Sequence, residues 1–410
     1  MGFLVWSIEL YSRKYIKYYS SGKSFNKKAK DRSRIIEDYG SDVVCLSLDF
    51  SAFDSTQHIS WKEAIDDQLY NWAIKTAKEN KAESPYFDLD DINKVVTDHR
   101  AKLQVGRYQD GKFQEICKIK QLGTVHSGDP DTTLGNTWRT LVIFHYMLEK
   151  DLGLNQSDFT IRSSGDDVDI YIRKGKFDRK AIVKIFTKYF LNKNNITDDM
   201  LNSIHGTGMM MKMVNIYEGV ESESCSTFCF MGIFGDVMVI RQPHRMIKTL
   251  SFREEKNNQL NDEEYTNAVS QCNYAWAHCI VGLSSFFKKI NSITKPTKKQ
   301  LKGKERKILD VSETEKCYIS LMLDDEEELI NEYAWVSTNQ YKYTTKVMNK
   351  SKDKSIRASI KTESAKFLEK YYDIDDEDIY NFKMVIKQSK TVEELFTLSK
   401  ETRYIKKLTV

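Results

Sequence analysis

Residues 159–173 read FTIRSSGDDVDIYIR, and on this stretch the fold turns. Phe159 and Ile161 precede Gly165-Asp166-Asp167, and Val168, Ile170 and Ile172 then alternate with Asp169 and Tyr171. Gly and Asp are turn formers, and period-two alternation marks a strand with one buried face, so the stretch predicts a β-hairpin with two carboxylates at its tip. Taken alone, Gly165-Asp166-Asp167 reads better as an ordinary turn.

Upstream, Val43-Val44-Cys45-Leu46-Ser47-Leu48 is a continuous apolar run of strand length, as expected of a strand covered on both faces. It ends at Asp49, and Asp54 follows five residues later. Between these carboxylates and the hairpin lies SGDPDTTLGN, residues 127–136, which opens a helix over 133–150. Its apolar face is expected to comprise Leu134, Trp138, Leu141, His145 and Leu148, widened by Val142 and Phe144. Asn136 lowers helix propensity with no evident packing return. Thr132 and Asn136, four apart, share one helix face.

If the first strand and the hairpin lie side by side, Asp49 and Asp166 emerge at adjacent strand ends. Carboxylates so placed can share two divalent cations, and hard oxygen donors select Mg²⁺ or Mn²⁺. In-line phosphoryl transfer needs such a clamp more than a protein nucleophile. Asp54, past the strand end, is expected to reach toward a substrate. With Thr132 and Asn136 it can bind a 2′-hydroxyl, the group that separates ribose from deoxyribose.

The rest of the chain bounds these readings. It has 410 residues, 40% hydrophobic and 30% charged, with mean hydropathy −0.55, ample for two or three domains. Lys+Arg 63 against Asp+Glu 59 leaves a net charge of +4, so any basic surface must be local. Seven cysteines without a CxxC pair indicate neither a disulfide framework nor a zinc cluster. No apolar stretch reaches the length of a membrane span, and the opening MGFLVWSIELYSRKY reads as a helix. A helix is expected from Trp61 to Lys78, short strands at Lys102–Gly106 and Gln114–Gln121, a helix capped by Asp178, a second hairpin over Ser226–Pro243, and mostly helix beyond Arg245.

The DxxxxD of Asp49–Asp54, the SGxxxTxxxN of Ser127–Asn136 and the GDD of Gly165–Asp167, in this order, resemble motifs A, B and C in the palm of RNA-dependent RNA polymerases from positive-strand RNA viruses. Met209-Met-Met-Lys212 resembles motif D. Thr227-Phe228-Cys229 with Val237–Pro243 resembles the motif E hairpin. SGDPDTTLGNT looks most like tombusvirus-like or flavivirus-like lineages. The resemblance spans roughly residues 35 to 250. It implies an α+β, right-hand fold: residues 1–40 a remnant of fingers, 41–245 an antiparallel-sheet palm with a fingers insertion at about 62–125, and 246–410 a mostly helical thumb.

By the same resemblance Asp49, Asp166 and Asp167 bind two Mg²⁺ or Mn²⁺ ions, and Lys212 protonates the pyrophosphate leaving group. Asp54, Thr132 and Asn136 check the ribose, while Ser127 and Gly128 position template and nucleotide. Lys27, Lys28, Arg32 and Arg34, with Lys298 and Lys299 farther on, are expected along the RNA path. The implied partners are RNA template and product duplex, nucleoside triphosphates and other viral replication proteins. The implied setting is the host-cell cytoplasm, at the periphery of membrane-bound replication complexes. Only 48 residues precede Asp49, fewer than the family's fingers need, so the chain is expected to be incomplete. Two alternatives follow: a reverse transcriptase, which shares the palm but lacks the motif B asparagine, or a non-catalytic RNA-binding palm needing a separate fingers chain.

Overall fold

The run at 43–48 forms β1 (Val43–Ser51), followed in the chain by β2 (Arg100–Gln109), β3 (Lys112–Leu122), β4 (Phe159–Ser164), β5 (Asp167–Arg173), β6 (Leu191–Asn192) and β7 (Met210–Glu218). β1 is the middle strand of a sheet of order β4-β5-β1-β7-β6. It runs antiparallel to β5, from Val43 opposite Arg173 to Leu48 opposite Val168, and antiparallel to β7, where Asp49 faces Met213 just before a register shift. The computed structural model describes residues 2–21, 25–81, 88–109, 111–122, 125, 131–192, 206–231, 237–251, 262–277, 280–294 and 354–409.

Successive side chains of a strand point to opposite faces, and here both faces are covered. Leu46, Leu48, Val168, Ile170 and Ile172 join Phe159 and Ile161 in a core with Leu141, Phe144, Ile182 and Phe186 from two helices, α6 (Thr132–Tyr146) and α7 (Arg179–Tyr189). Asp169 and Tyr171 were expected on an exposed face, yet they are 1% and 0% exposed. β8 (Ser222–Ser224) closes that side. Ser47 and Ser224 donate to the two oxygens of Asp169 at 2.7 and 3.0 Å, and Tyr171 bonds Ser222 at 3.2 Å. A buried carboxylate is tolerable only when so satisfied.

The expected hairpin forms between β4 and β5, with Ser164 opposite Asp167. Gly165 takes φ +72°, a conformation open to glycine at little cost. Asp178 caps α7 by accepting from the Lys180 and Ala181 amides, as expected. Val142, expected on the buried face of its helix, is 43% exposed, and Val183 of α7 is 56% exposed. Each falls about 100° around the helix from a core neighbour, outside the buried stripe.

The opening residues form α1 (Gly2–Tyr15), followed by α2 (Phe25–Tyr39). The expected helix from Trp61 begins at α3 (Ile59–Trp61), winds through a π-helical turn at Lys62–Asp66 and continues as α4 (Asp67–Glu79), with α5 (Leu89–Val96) after it. Leu4, Val5 and Ile8 of α1 share a core with Tyr70, Ile74, Ile92 and Val96. β2 and β3 pair antiparallel as a separate ribbon.

By contact density the chain divides into two units, Met1–Lys23 with Ile35–Cys225, and Ser24–Arg34 with Ser226–Val410. The division falls before the second hairpin, earlier than the expected boundary at 245/246. That hairpin forms as β9 (Thr227–Met231) and β10 (Val237–Arg241), its turn lying outside the described residues. Phe228 and Phe230 bring it against Phe367, with ring centroids at 4.9 and 4.8 Å, which explains its grouping with the second unit. Beyond Arg245 the described residues are mainly helical, as expected, at Pro243–Ser251, Asp262–Ala277, Leu283–Ile293, Lys354–Tyr372, Asp376–Gln388, Val392–Glu401 and Arg403–Thr409. Phe382 stacks on Tyr404 at 4.3 Å within this unit.

Candidate active site

β1 carries Asp49 at its end, and the chain then turns through Ala52, a non-glycine residue at φ 50°, into a 3₁₀ turn at Phe53–Thr56. That turn presents Asp54 to a cavity of about 650 Å³. The opposite walls are the start of α6, with Thr132 and Asn136, and the hairpin tip, with Gly165, Asp166 and Asp167; Ser21 and Cys225 complete the lining. Three stretches spread over some 110 residues of chain thus meet at one concavity.

Hydroxyls of α6 hold the hairpin tip. Thr137 Oγ1 accepts from the Gly165 amide at 2.7 Å, and Thr140 Oγ1 bonds Ser163 Oγ at 2.6 Å. The Val125 amide donates to the Asp54 carbonyl at 3.1 Å, tying the chain ahead of α6 to the 3₁₀ turn.

Asn136, 3% exposed, donates from Nδ2 to Asp54 Oδ1 at 2.7 Å and accepts at Oδ1 from the Arg139 guanidinium at 2.6 Å. Arg139 in turn donates to Asp66 Oδ2 at 2.7 Å, the two side chains 1% and 2% exposed. Burial pushes the Asp66 carboxyl up to about 6 against the pull of Arg139. Sequence reading passed over both residues. Gly135 inside the helix was the available signal: a Cβ there would sit 3.1 Å from the guanidinium and 3.3 Å from Asp66 Oδ2. Glycine in a helix interior costs about 1 kcal/mol of propensity, and here it leaves room for the ion pair.

Burial raises the Asp166 carboxyl above its usual range, and the charges of Asp54 and Asp49 push the same way. Asp166 is open to the cavity yet surrounded by protein, so the loss of bulk water around it outweighs its contact with solvent. Asp167 is pushed up to about 6, by burial first and by Asp166 second, against hydrogen bonds from Cys225. Asp49 accepts from Lys212 Nζ of β7 at 2.8 Å, and this hydrogen bond and the charge of Asp49 raise the Lys212 ammonium.

The four carboxylates Asp49, Asp54, Asp166 and Asp167 offer hard oxygen donors, and their mutual repulsion is what a divalent cation relieves. By donor type they are of the kind such an ion takes, though only Asp54, Asp166 and Asp167 line the cavity. Among the described residues, no group of three or more His, Cys, Asp or Glu side chains is already gathered around one point. Asp49 is held instead by Lys212.

The basic residues fare differently. Lys28 and Arg32 are buried, at 6% and 2% exposure, and Arg32 bonds the Lys28 carbonyl. Both side chains are thus withdrawn from solvent here, whereas a residue that tracks a phosphate backbone must be reachable from it. Arg34 is exposed and lies 3.7 Å from Asp31. Ser127, Gly128, Lys298 and Lys299, and the side chain of Lys27, lie outside the described residues. Cys229 is buried at 1%, in keeping with a packing role.

No protein-family model matches the chain, and a search of curated proteins finds no match. Among solved structures it is similar to the RNA-dependent RNA polymerase of a human picorbirnavirus, with 11% identity and a TM-score of 0.49 over 85% of this chain. The chain covers 58% of that structure's length.

Proposed function

We propose that the cavity is a nucleotidyl-transfer site at which RNA is synthesised from nucleoside triphosphates on an RNA template, as in a viral RNA-dependent RNA polymerase. One observation carries this reading: the Asp54–Asn136 hydrogen bond and the Asp166 carboxylate line the same cavity. A ribose-reading pair beside a carboxylate cluster is what a ribonucleotide-adding site requires, and neither a turn nor a helix cap calls for it.

In this reading the nascent 3′-hydroxyl, giving up its proton to solvent, attacks the α-phosphorus, the α–β phosphoanhydride bond breaks and pyrophosphate leaves. Asp49, Asp166 and Asp167 would hold two Mg²⁺ or Mn²⁺ ions, which when bound lower the pKa of the attacking hydroxyl and steady the leaving oxygens. Asp54 accepts a hydrogen bond from the 2′-hydroxyl while Thr132 and Asn136 fix the sugar's orientation. The α6 hydroxyls Thr137 and Thr140 keep the hairpin tip, and with it Asp166, in place. Lys212 leaves Asp49 and donates its proton to the pyrophosphate. Template, product duplex and viral replication proteins are the partners this implies, in the host-cell cytoplasm at membrane-bound replication complexes. No described helix is long and apolar enough to cross a membrane.

The test is extension of a primed RNA template with ribonucleoside triphosphates and Mg²⁺ or Mn²⁺. Incorporation that depends on Asp166 supports the reading; no incorporation with either metal overturns it for this chain. The Lys212–Asp49 pair favours a second reading, a palm that binds RNA without catalysis. Salt-sensitive RNA binding without incorporation would select it.

A further inference from the structure

The side-chain amide of Asn136 sits between two groups of opposite demand. Asp54 is a carboxylate and can only accept; Arg139 is a guanidinium and can only donate. With Nδ2 toward Asp54 and Oδ1 toward Arg139, both bonds form, at 2.7 and 2.6 Å. Turned over, the amide would set oxygen against carboxylate and NH₂ against guanidinium, and both would be lost. Arg139 itself is aimed by Asp66 at 2.7 Å. Asp66 stands at the end of a π-helical turn, a feature often found beside functional sites.

We propose that Arg139 and Asp66 are positioning residues for ribose selection: Asp66 aims Arg139, which locks the Asn136 amide so that Nδ2 faces Asp54 and the pair meets a 2′-hydroxyl in one fixed arrangement. The inference rests on the ribonucleotide reading of the cavity. Stability alone is a poor account of this ion pair, because Asp66 Oδ1 and Arg139 Nε are buried with no hydrogen-bond partner among the described residues. A buried pair left partly unsatisfied adds little to stability compared with apolar side chains of similar size. What it does supply is a single orientation for Asn136.

The experiment uses the full chain and rests first on two variants, with Arg139→Lys and Asn136→Ala added in its second arm. Asp66→Leu/Arg139→Met removes both charges together and keeps apolar volume, so no lone charge is buried. Gly135→Ala keeps both charges and pushes a methyl against them. The first arm measures exchange of the Asn136 side-chain amide protons by NMR with labelled asparagine, which needs no catalysis. Protection is expected to fall about tenfold in the double variant, the worth of one hydrogen bond, and by less in Gly135→Ala. Unchanged protection in both overturns the proposal, whether or not the chain polymerises.

The second arm compares incorporation of ribo- and 2′-deoxyribonucleotides. Discrimination is expected to fall about tenfold in the double variant, with partial recovery when Lys replaces Arg139 opposite an intact Asp66. Combined with Asn136→Ala, the double change is expected to add nothing, since it acts through that amide. A further loss in the Asn136→Ala background, or undiminished discrimination in the double variant, overturns the proposal. A wild-type chain that incorporates neither nucleotide overturns the polymerase reading instead, and amide exchange then decides the positioning claim alone.

Discussion

Asn136 Nδ2 donates to Asp54 Oδ1 at 2.7 Å, joining the first turn after β1 to the first turns of α6. Asn136 is poor for the helix that carries it, and Asp54 lies beyond the strand that precedes it. Their meeting gives both residues a reason.

Replacing Asn136 with Ala should leave the fold intact and lower the preference for ribonucleotides over deoxyribonucleotides by about 10- to 100-fold, one or two hydrogen bonds in worth. Single-nucleotide incorporation with matched pairs of substrates reads this directly. Equal preference in wild type and variant would remove Asn136 from ribose recognition.

Asp166→Asn should abolish nucleotide addition, because Asp166 is the carboxylate that feels both Asp49 and Asp54. Its melting temperature should match or exceed that of wild type, since removing a charge from a repelling cluster relieves strain. Primer extension and a thermal melt on the same preparation separate the two effects. Extension at the wild-type rate would sink the mechanism.

Thr137→Val deletes the acceptor of the Gly165 amide while keeping side-chain shape. The cost should be about 1–3 kcal/mol, read as a shift in the denaturation midpoint. Faster amide exchange at Gly165 should accompany it. An unshifted midpoint would mean that water replaces the hydroxyl.

Arg139→Met alone should destabilise, by up to about 3–5 kcal/mol at a pH where Asp66 stays charged and by less where the carboxyl, freed of the pull of Arg139, takes up a proton. Asp66→Leu/Arg139→Met should recover most of this. The sign with pH follows from Asp66. Its folded value of about 6 lies above the usual 3.8, so between roughly pH 4 and 6 the folded chain holds a proton that the unfolded chain has lost, and stability falls as pH rises. The double variant lacks this titration and should gain on wild type from pH 4 to 7. Denaturation curves at the two ends test it; a gap that narrows upward would contradict the assignment.

Lys212→Met should change the melting temperature little, since the pair with Asp49 is exposed on both sides. If Lys212 serves as proton donor, turnover should fall at least tenfold with little change in nucleotide KM. An unchanged turnover would confine Lys212 to its ion pair.

Much of the scaffold could be read from local pattern. The run at 43–48, the turn at Gly165-Asp166 and the helix from Thr132 each announce themselves within a dozen residues, because backbone preference and apolar period are local properties. The candidate residues Asp49, Asp54, Thr132, Asn136 and Asp166 were legible for the same reason. Asp169 and Tyr171 were not: their alternation predicts an exposed face, and only β8, returning some fifty residues later, buries it. The burial of Lys28 and Arg32 was not legible either, for charge in a sequence says nothing about the side chain's access to water.

By itself the sequence determined which strands, turns and helix could form, and which carboxylates and amide could do chemistry. Only the tertiary structure decided that Asp54 meets Asn136, that Arg139 and Asp66 stand behind that amide, and that Lys212 holds Asp49. Propensity and period act over a turn or a strand. A hydrogen bond between residues 82 positions apart, or an ion pair across 73, exists only once packing has brought its partners out of water and into reach.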